Sequence, residues 1–238
     1  MPESPIQPRL KYLIEGCTAH WQREASLHRP NTPVFIPVAE LPAISPTANA
    51  APLDRERALR LLADEISNCQ RCALSASRTR TVFARGNPNA ALVFVGEGPG
   101  YHEDQQGVPF VGAAGQLLDR MIQAMRYRPE DVYICNVVKC RPPENRTPLS
   151  DEVAACSGFL EAQLGMVQPR VIVALGKCAA QALCPDTSET RRWRGAWSEW
   201  RGIDVMSTYH PAFLLRSPDQ KKTVWADLQQ VMRKLGGQ

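Results

Sequence analysis

From Asp54 onward, short β-favouring apolar runs alternate with amphipathic helical segments, and this alternation restricts the fold more than any other feature. Leu59, Leu62 and Ile66 fall at i, i+3 and i+7, which predicts a helix with Asp54 as its N-cap, ending near Cys69. Strands are predicted at Ala91–Val95, Val132–Cys135, Val171–Leu175 and Ile203–Thr208. Helices are predicted around Leu117–Met125, at Val153–Leu164, at Lys177–Leu183 and at Asp219–Leu235. Strands separated by helices of this length imply an α/β fold with a parallel, doubly wound sheet. Ligands of such sheets bind beyond the carboxyl ends of the strands. Glu97 in the Gly96–Gly100 turn, Asn136 and His210 all follow strands directly, so three strands deliver an acid, an amide and an imidazole to one edge.

The 238 residues allow one large domain, or a domain of ~150–200 residues with an appendage. Residues 1–55 hold nine of the 20 prolines and one of the 15 glycines. They read as a Pro-rich extension ahead of a folded domain at 56–238, with an extended tether at Pro30–Pro52 and a short helix at Leu10–Leu27 carrying Trp21. A protein partner docking through residues 1–55 is one use for it. The longest purely apolar runs, Ala90–Val95 and Val171–Leu175, fall far short of the ~20 residues of a membrane helix. The start MPESPIQPRLKYL has no apolar stretch after a basic one, so no membrane association and a cytoplasmic location are expected.

In that setting the eight cysteines favour reduced thiols or metal ligands over disulfides. Cys69 and Cys72 form C-x2-C just past the first helix; Cys140 follows a strand and Cys156 lies in the next helix. One tight and one loose pair suit a four-thiolate site, and spacing alone leaves zinc and a [4Fe–4S] cluster both open. Cys135 and Cys178 read as core residues, although Cys135 with Cys140 is a rival ligand pair.

GEGPG after a strand invites comparison with nucleotide-binding loops. The third glycine of GxGxxG would fall at Tyr101, no Walker lysine follows, and the acid-rich loop Tyr101–Asp104 would repel phosphate. Gly98 and its neighbours instead suit close approach of backbone to a planar neutral ligand. Phe110, in a glycine-flanked loop, suits stacking of a base. Charge is concentrated at the end of the chain: residues 191–238 carry nine Lys/Arg against four Asp/Glu, a net +5, leaving −1 for residues 1–190. Arg191, Arg192, Arg194, Arg216, Lys221 and Lys222 flank the HPAFLLR loop, which suits either an ordinary solvated basic surface or one that binds phosphates in a salt-sensitive, sequence-indifferent way.

The runs TRTVFARGNPNAALVFVGEGPGYHEDQQGVPFVGAAGQLLD, YICNVVKCRPPENRTP and STYHPAFLLRSP, with cysteines at 69, 72, 140 and 156, resemble the family 4 (iron–sulfur) uracil-DNA glycosylases over Cys69 to Leu235. That resemblance implies a three-layer, mostly parallel α/β sheet and a [4Fe–4S] cluster on Cys69, Cys72, Cys140 and Cys156. It further implies water activation from the GEGPG segment, base stacking by Phe110, uracil reading by Asn136 and a catalytic His210. Other branches of the superfamily place a catalytic aspartate where this chain has Gly98, so water activation falls to Glu97 or Glu103. A covalent-trapping relative carries a histidine after the third cysteine; Glu144–Pro148 has none, so hydrolysis with turnover is expected.

The implied reaction is hydrolysis of the bond between deoxyribose and uracil in single- or double-stranded DNA, by a monomer in base excision repair. Asn136 can offer a donor and an acceptor to uracil, whereas cytosine presents the reverse pattern. Phe213, Leu214 and Leu215 are candidates for the wedge that fills the gap left by the flipped base, with Arg216 on phosphate. A non-catalytic iron–sulfur DNA-binding module and a glycosylase of broader deaminated-base scope are the competing readings.

Overall fold

The computed structural model describes residues 52–185 and 193–236, so the helix and tether expected before residue 52, and Arg191 and Arg192, lie outside the described residues. The first helix, α1 (Pro52–Ser67), starts with a proline, which is preorganised for a first turn. Asp54 therefore sits inside that turn and is not the cap. Leu59, Leu62 and Ile66 are buried as their spacing predicts.

Six strands follow: β1 (Ala84–Gly86), β2 (Leu92–Gly96), β3 (Tyr133–Asn136), β4 (Val171–Leu175), β5 (Trp197–Trp200) and β6 (Ile203–Thr208). They form one sheet in the order β1-β3-β2-β4-β6-β5. The four central strands are parallel, and β1 and β5 close the edges antiparallel. The sequence reading found the central four because they are continuous apolar runs, as strands buried on both faces require. It missed the edges: β1 is three residues including Arg85 and Gly86, and β5 is Trp-Ser-Glu-Trp.

The remaining helices are α2 (Tyr101–Gln106), α3 (Ala113–Ala124), α4 (Ser150–Val167), α5 (Lys177–Leu183), α6 (Pro211–Arg216) and α7 (Lys221–Lys234). The acid-rich stretch after GEGPG is thus a helix, not a loop. Alternate strand residues feed two separate apolar layers. Val93, Val95, Ile172 and Ala174 face α1, α4 and α5. Leu92, Phe94, Val171, Val173 and Leu175 face α3 and α7. The three-layer, doubly wound architecture follows from this period of two. Among the described residues, no helix is long and apolar enough to cross a membrane.

Candidate functional site

A cavity of about 500 Å³ opens at the carboxyl ends of the parallel strands. Glu97, Gly98 and Gly100 reach it from the turn after β2, Asn136 from the last residue of β3, and His210 from just past β6. Phe110, Phe213 and Arg216 complete the wall, together with the Pro142–Pro148 loop, whose Glu144–Pro148 stretch the sequence marks only by its lack of a histidine. The acid, the amide and the imidazole therefore meet in one cavity. Asn136 is 1% exposed, and its Oδ1 has no hydrogen-bond partner. An orphaned acceptor at that depth costs about 1–3 kcal/mol unless a ligand supplies a donor. Space at Asn136 depends on Gly96, where a Cβ would collide with Asn136 Oδ1 and the Phe110 ring.

Phe110 is held in the left-handed region at φ 57°. A bulky side chain rarely adopts that conformation, which costs about 1–2 kcal/mol. Glu103 compensates. Its Oε1 accepts from Val111 N and Gly112 N, both at 2.9 Å, and its Oε2 from Gly100 N at 3.1 Å. All three backbone bonds fall on the two segments that present Gly98 and Phe110. Glu103 is therefore engaged in holding the site rather than free to orient water. Glu103→Gln, which halves its acceptor capacity, is expected to lower the unfolding free energy by about 2 kcal/mol, read as a fall in denaturant midpoint.

Glu97 faces the cavity with no such backbone commitment. Burial raises its pKa above the usual carboxylate range, partly offset by a hydrogen bond with the Thr147 hydroxyl. Thr147 is positioned by its neighbours: Arg146 forks onto the buried Glu152 at 2.8 and 2.6 Å, and Glu152 also accepts from Leu149 N. His210 caps α6, its Nδ1 accepting from Ala212 N at 3.1 Å. A neutral imidazole that accepts at Nδ1 carries its proton on Nε2. Burial, reinforced by the Arg216 charge, lowers its pKa to about 4, so the neutral donor form prevails at physiological pH. The ring lies nearly parallel to Phe110, with centroids 5.6 Å apart.

Cys69, Cys72, Cys140 and Cys156 line a second, much smaller pocket, with a cavity volume of about 10 Å³. Their segments are the end of α1, the loop after β3, and α4. Arg78 Nη1 lies 3.3 Å from Cys140 Sγ, and Arg71 N lies 3.5 Å from Cys69 Sγ. Burial pushes the Cys140 thiol up to about 11. Four sulfurs with nearby N–H donors form the donor set of a metal–thiolate site. Among the described residues, however, no group of three or more His, Cys, Asp or Glu side chains is arranged to hold a metal ion. Cys135 is fully buried in the core and does not line the cavity. Cys178 is half-buried, and burial, with the Glu97 charge adding to it, pushes its thiol up.

Comparison with known proteins matches the uracil DNA glycosylase superfamily model to residues 83–229, which span the whole of the first cavity. The type-4 uracil-DNA glycosylase of Thermotoga maritima is 44% identical over 179 residues, covering 74% of this chain and 93% of the relative. The chain belongs to the type-4 family of the uracil DNA glycosylase superfamily. In Pyrobaculum aerophilum the type-4 enzyme is 40% identical, over 71% of this chain and 91% of the relative. The type-5 enzyme of that organism is 30% identical, over 63% and 80%. Residues 1–55 precede the matched model.

The flank of the cavity in this uracil DNA glycosylase fold is less uniformly basic than its composition suggests. Arg194 is withdrawn from solvent-facing work by an ion pair with Asp227 at 3.1 Å, and Lys234 pairs with Asp204 at 3.0 Å. Arg216 lines the cavity mouth, and Lys221 and Lys222 are exposed at the start of α7. Leu214 is only 1% exposed and packs in the α3/α7 layer, so it is a core residue and not a wedge. Its neighbour Leu215 is 45% exposed. Phe213 lines the cavity and contacts the Tyr209 ring at 4.7 Å.

Proposed function

We propose that this chain is a monofunctional uracil-DNA glycosylase that hydrolyses the N-glycosidic bond of uracil in DNA and leaves an abasic site for base excision repair. The observation that carries the reading is the buried, unpartnered Asn136 Oδ1 beside Phe110 and the Nε2–H of His210. Uracil offers an N3–H donor to that oxygen and an O4 acceptor to the amide nitrogen, while Phe110 gives its ring a stacking surface. The nucleotide must leave the duplex to reach the cavity, at a cost of a few kcal/mol. As the C1′–N1 bond breaks, its electron pair moves onto uracil, and the negative charge at O2 is met by His210 Nε2–H. Glu97 stabilises the positive sugar and orients a water. The water oxygen bonds to C1′, and its proton passes to the carboxylate.

Cys69, Cys72, Cys140 and Cys156 are the proposed ligands of a [4Fe–4S] cluster. Four cysteines lining one pocket supply the thiolates that either zinc or a cluster needs, and the likeness to the iron–sulfur glycosylases is what favours the cluster. When bound, the cluster supplies a cross-link between the chain segments that support the DNA-facing loops. Phosphate contacts are assigned to Arg216, Lys221 and Lys222, and the wedge to Leu215 or Phe213. The proposed working form is a cytoplasmic monomer, with residues 1–55 as an extension separate from the catalytic domain and open to a protein partner.

Excision from uracil-containing DNA followed by alkali tests the activity, because cleavage occurs only at abasic sites. Glu97→Gln is expected to lose about 10²-fold or more in single-turnover rate with its melting temperature kept. The rate of the wild type should fall on acidification as Glu97 protonates, above the usual range for a carboxylic acid. No inflection should appear near the ordinary imidazole value, because His210 titrates only at about 4. Absence of strand cleavage at uracil would overturn the reading, and an imidazole inflection would overturn the neutral His210.

A further inference from the structure

Between the two cavities stands Lys139, whose side chain is 1% exposed. It lines the cysteine cavity, and its backbone N–H donates toward Cys156. Its Nζ donates to the backbone carbonyl of Asn136 at 2.5 Å. Its own carbonyl is tied down by Val82 N at 2.8 Å, so the backbone of the linking residue is anchored as well. A lysine is almost never fully buried without an anionic partner. Among the described residues no carboxylate forms an ion pair with Lys139. The acidic groups that feel its charge are the Cys135 and Cys156 thiols.

We propose that Lys139 is a positioning residue that joins the two sites: its ammonium is the counter-cation of the cysteine-bound cluster and pins the Asn136 carbonyl that sets the uracil-reading amide. The inference rests on the roles proposed above for the four cysteines and Asn136. The physical logic is one of charge and reach. A four-thiolate iron–sulfur centre carries net negative charge, which supplies the partner that the surrounding residues do not. Asn136 ends β3, where the chain leaves the sheet, and Nζ holds its carbonyl at that point. Outer-shell groups of this kind tune metal centres and orient the residues next to them.

The test compares Lys139→Met, which removes both charge and donor, with Lys139→Gln, which keeps an N–H donor without the charge. Wild-type protein must first show iron, visible absorption and uracil excision; if it does not, the functional reading fails and this inference with it, distinguishably. Given that, both variants should lower the cluster reduction potential, since loss of a nearby cation favours the oxidised form. Lys139→Met should lose about tenfold or more in kcat/KM on uracil DNA and discriminate less well against cytosine, with Lys139→Gln losing less. An unchanged potential in both variants overturns the counter-cation role. Wild-type excision and discrimination in Lys139→Met overturn the link to Asn136. Should Lys139→Met fail to assemble, the potential and discrimination of Lys139→Gln decide: unchanged values in both overturn the proposal, and a shifted potential supports it.

Discussion

Asn136→Asp is expected to reduce single-turnover excision of uracil by about 10²–10³-fold and to bring the rates on uracil and cytosine closer together. Asn136 is buried and its Oδ1 has no internal partner, which supports its proposed role in reading the base. In that role uracil satisfies both ends of the amide. Cytosine places an acceptor at N3 and a donor at N4, leaving Oδ1 and the amide N–H facing like groups. Sites built around such bonds reject the mismatched partner by about 10⁴–10⁵-fold. An ionised aspartate repels the developing uracil anion and offers no N–H to O4. A protonated aspartic acid presents an O–H and an acceptor that cytosine can use. The measurement is the ratio of excision rates on matched uracil- and cytosine-containing strands. A ratio equal to that of the wild type would remove Asn136 from the reading of the base.

His210→Asn is expected to lower kcat by about 10²–10³-fold with little change in KM or melting temperature. Asparagine is a preferred N-cap, so the α6 cap now provided by His210 Nδ1 to Ala212 N survives the replacement. What disappears is the Nε2–H donor of a residue that lines the cavity. The neutral form of His210 is enforced by burial and by Arg216, so the donor is set in advance and needs no proton uptake as the bond breaks. A variant that turned over normally would place the oxyanion donor elsewhere on the cavity wall. A variant that lost stability along with rate would mean that capping dominates the role of His210.

The site was legible in the sequence to the extent that it depends on strand ends. Glu97, Asn136 and His210 follow three parallel strands, and a doubly wound sheet delivers residues at such positions to one edge whatever the loops do. Glu103 shows where that logic stops. Its sequence neighbours mark it as one more acid near the GEGPG turn. Only the folded chain shows its carboxylate taken up by the N–H groups of Gly100, Val111 and Gly112. Leu214 and Leu215 are adjacent and chemically alike, yet one is packed under α7 and the other faces solvent; the phase of the short helix α6 separates them. Arg194 is likewise one more basic residue by composition, and its pairing with Asp227 is a matter of tertiary packing.

Local pattern by itself determined the central parallel strands, the longer helices between them and the sheet edge that gathers Glu97, Asn136 and His210, and it offered the four cysteines as two pairs with Cys135–Cys140 as a rival. These depend on hydrophobic periodicity and on spacing along the chain, both of which are properties of neighbouring residues. Tertiary structure alone decided the edge strands, the left-handed Phe110 with its Glu103 support, the Arg146–Glu152 fork behind Thr147, and the position of Lys139 between the two cavities. Each of these is a hydrogen bond, a helix phase or a burial set by packing between segments, which composition and periodicity do not encode. The chain announces where its chemistry is; packing decides which side chains are free to perform it.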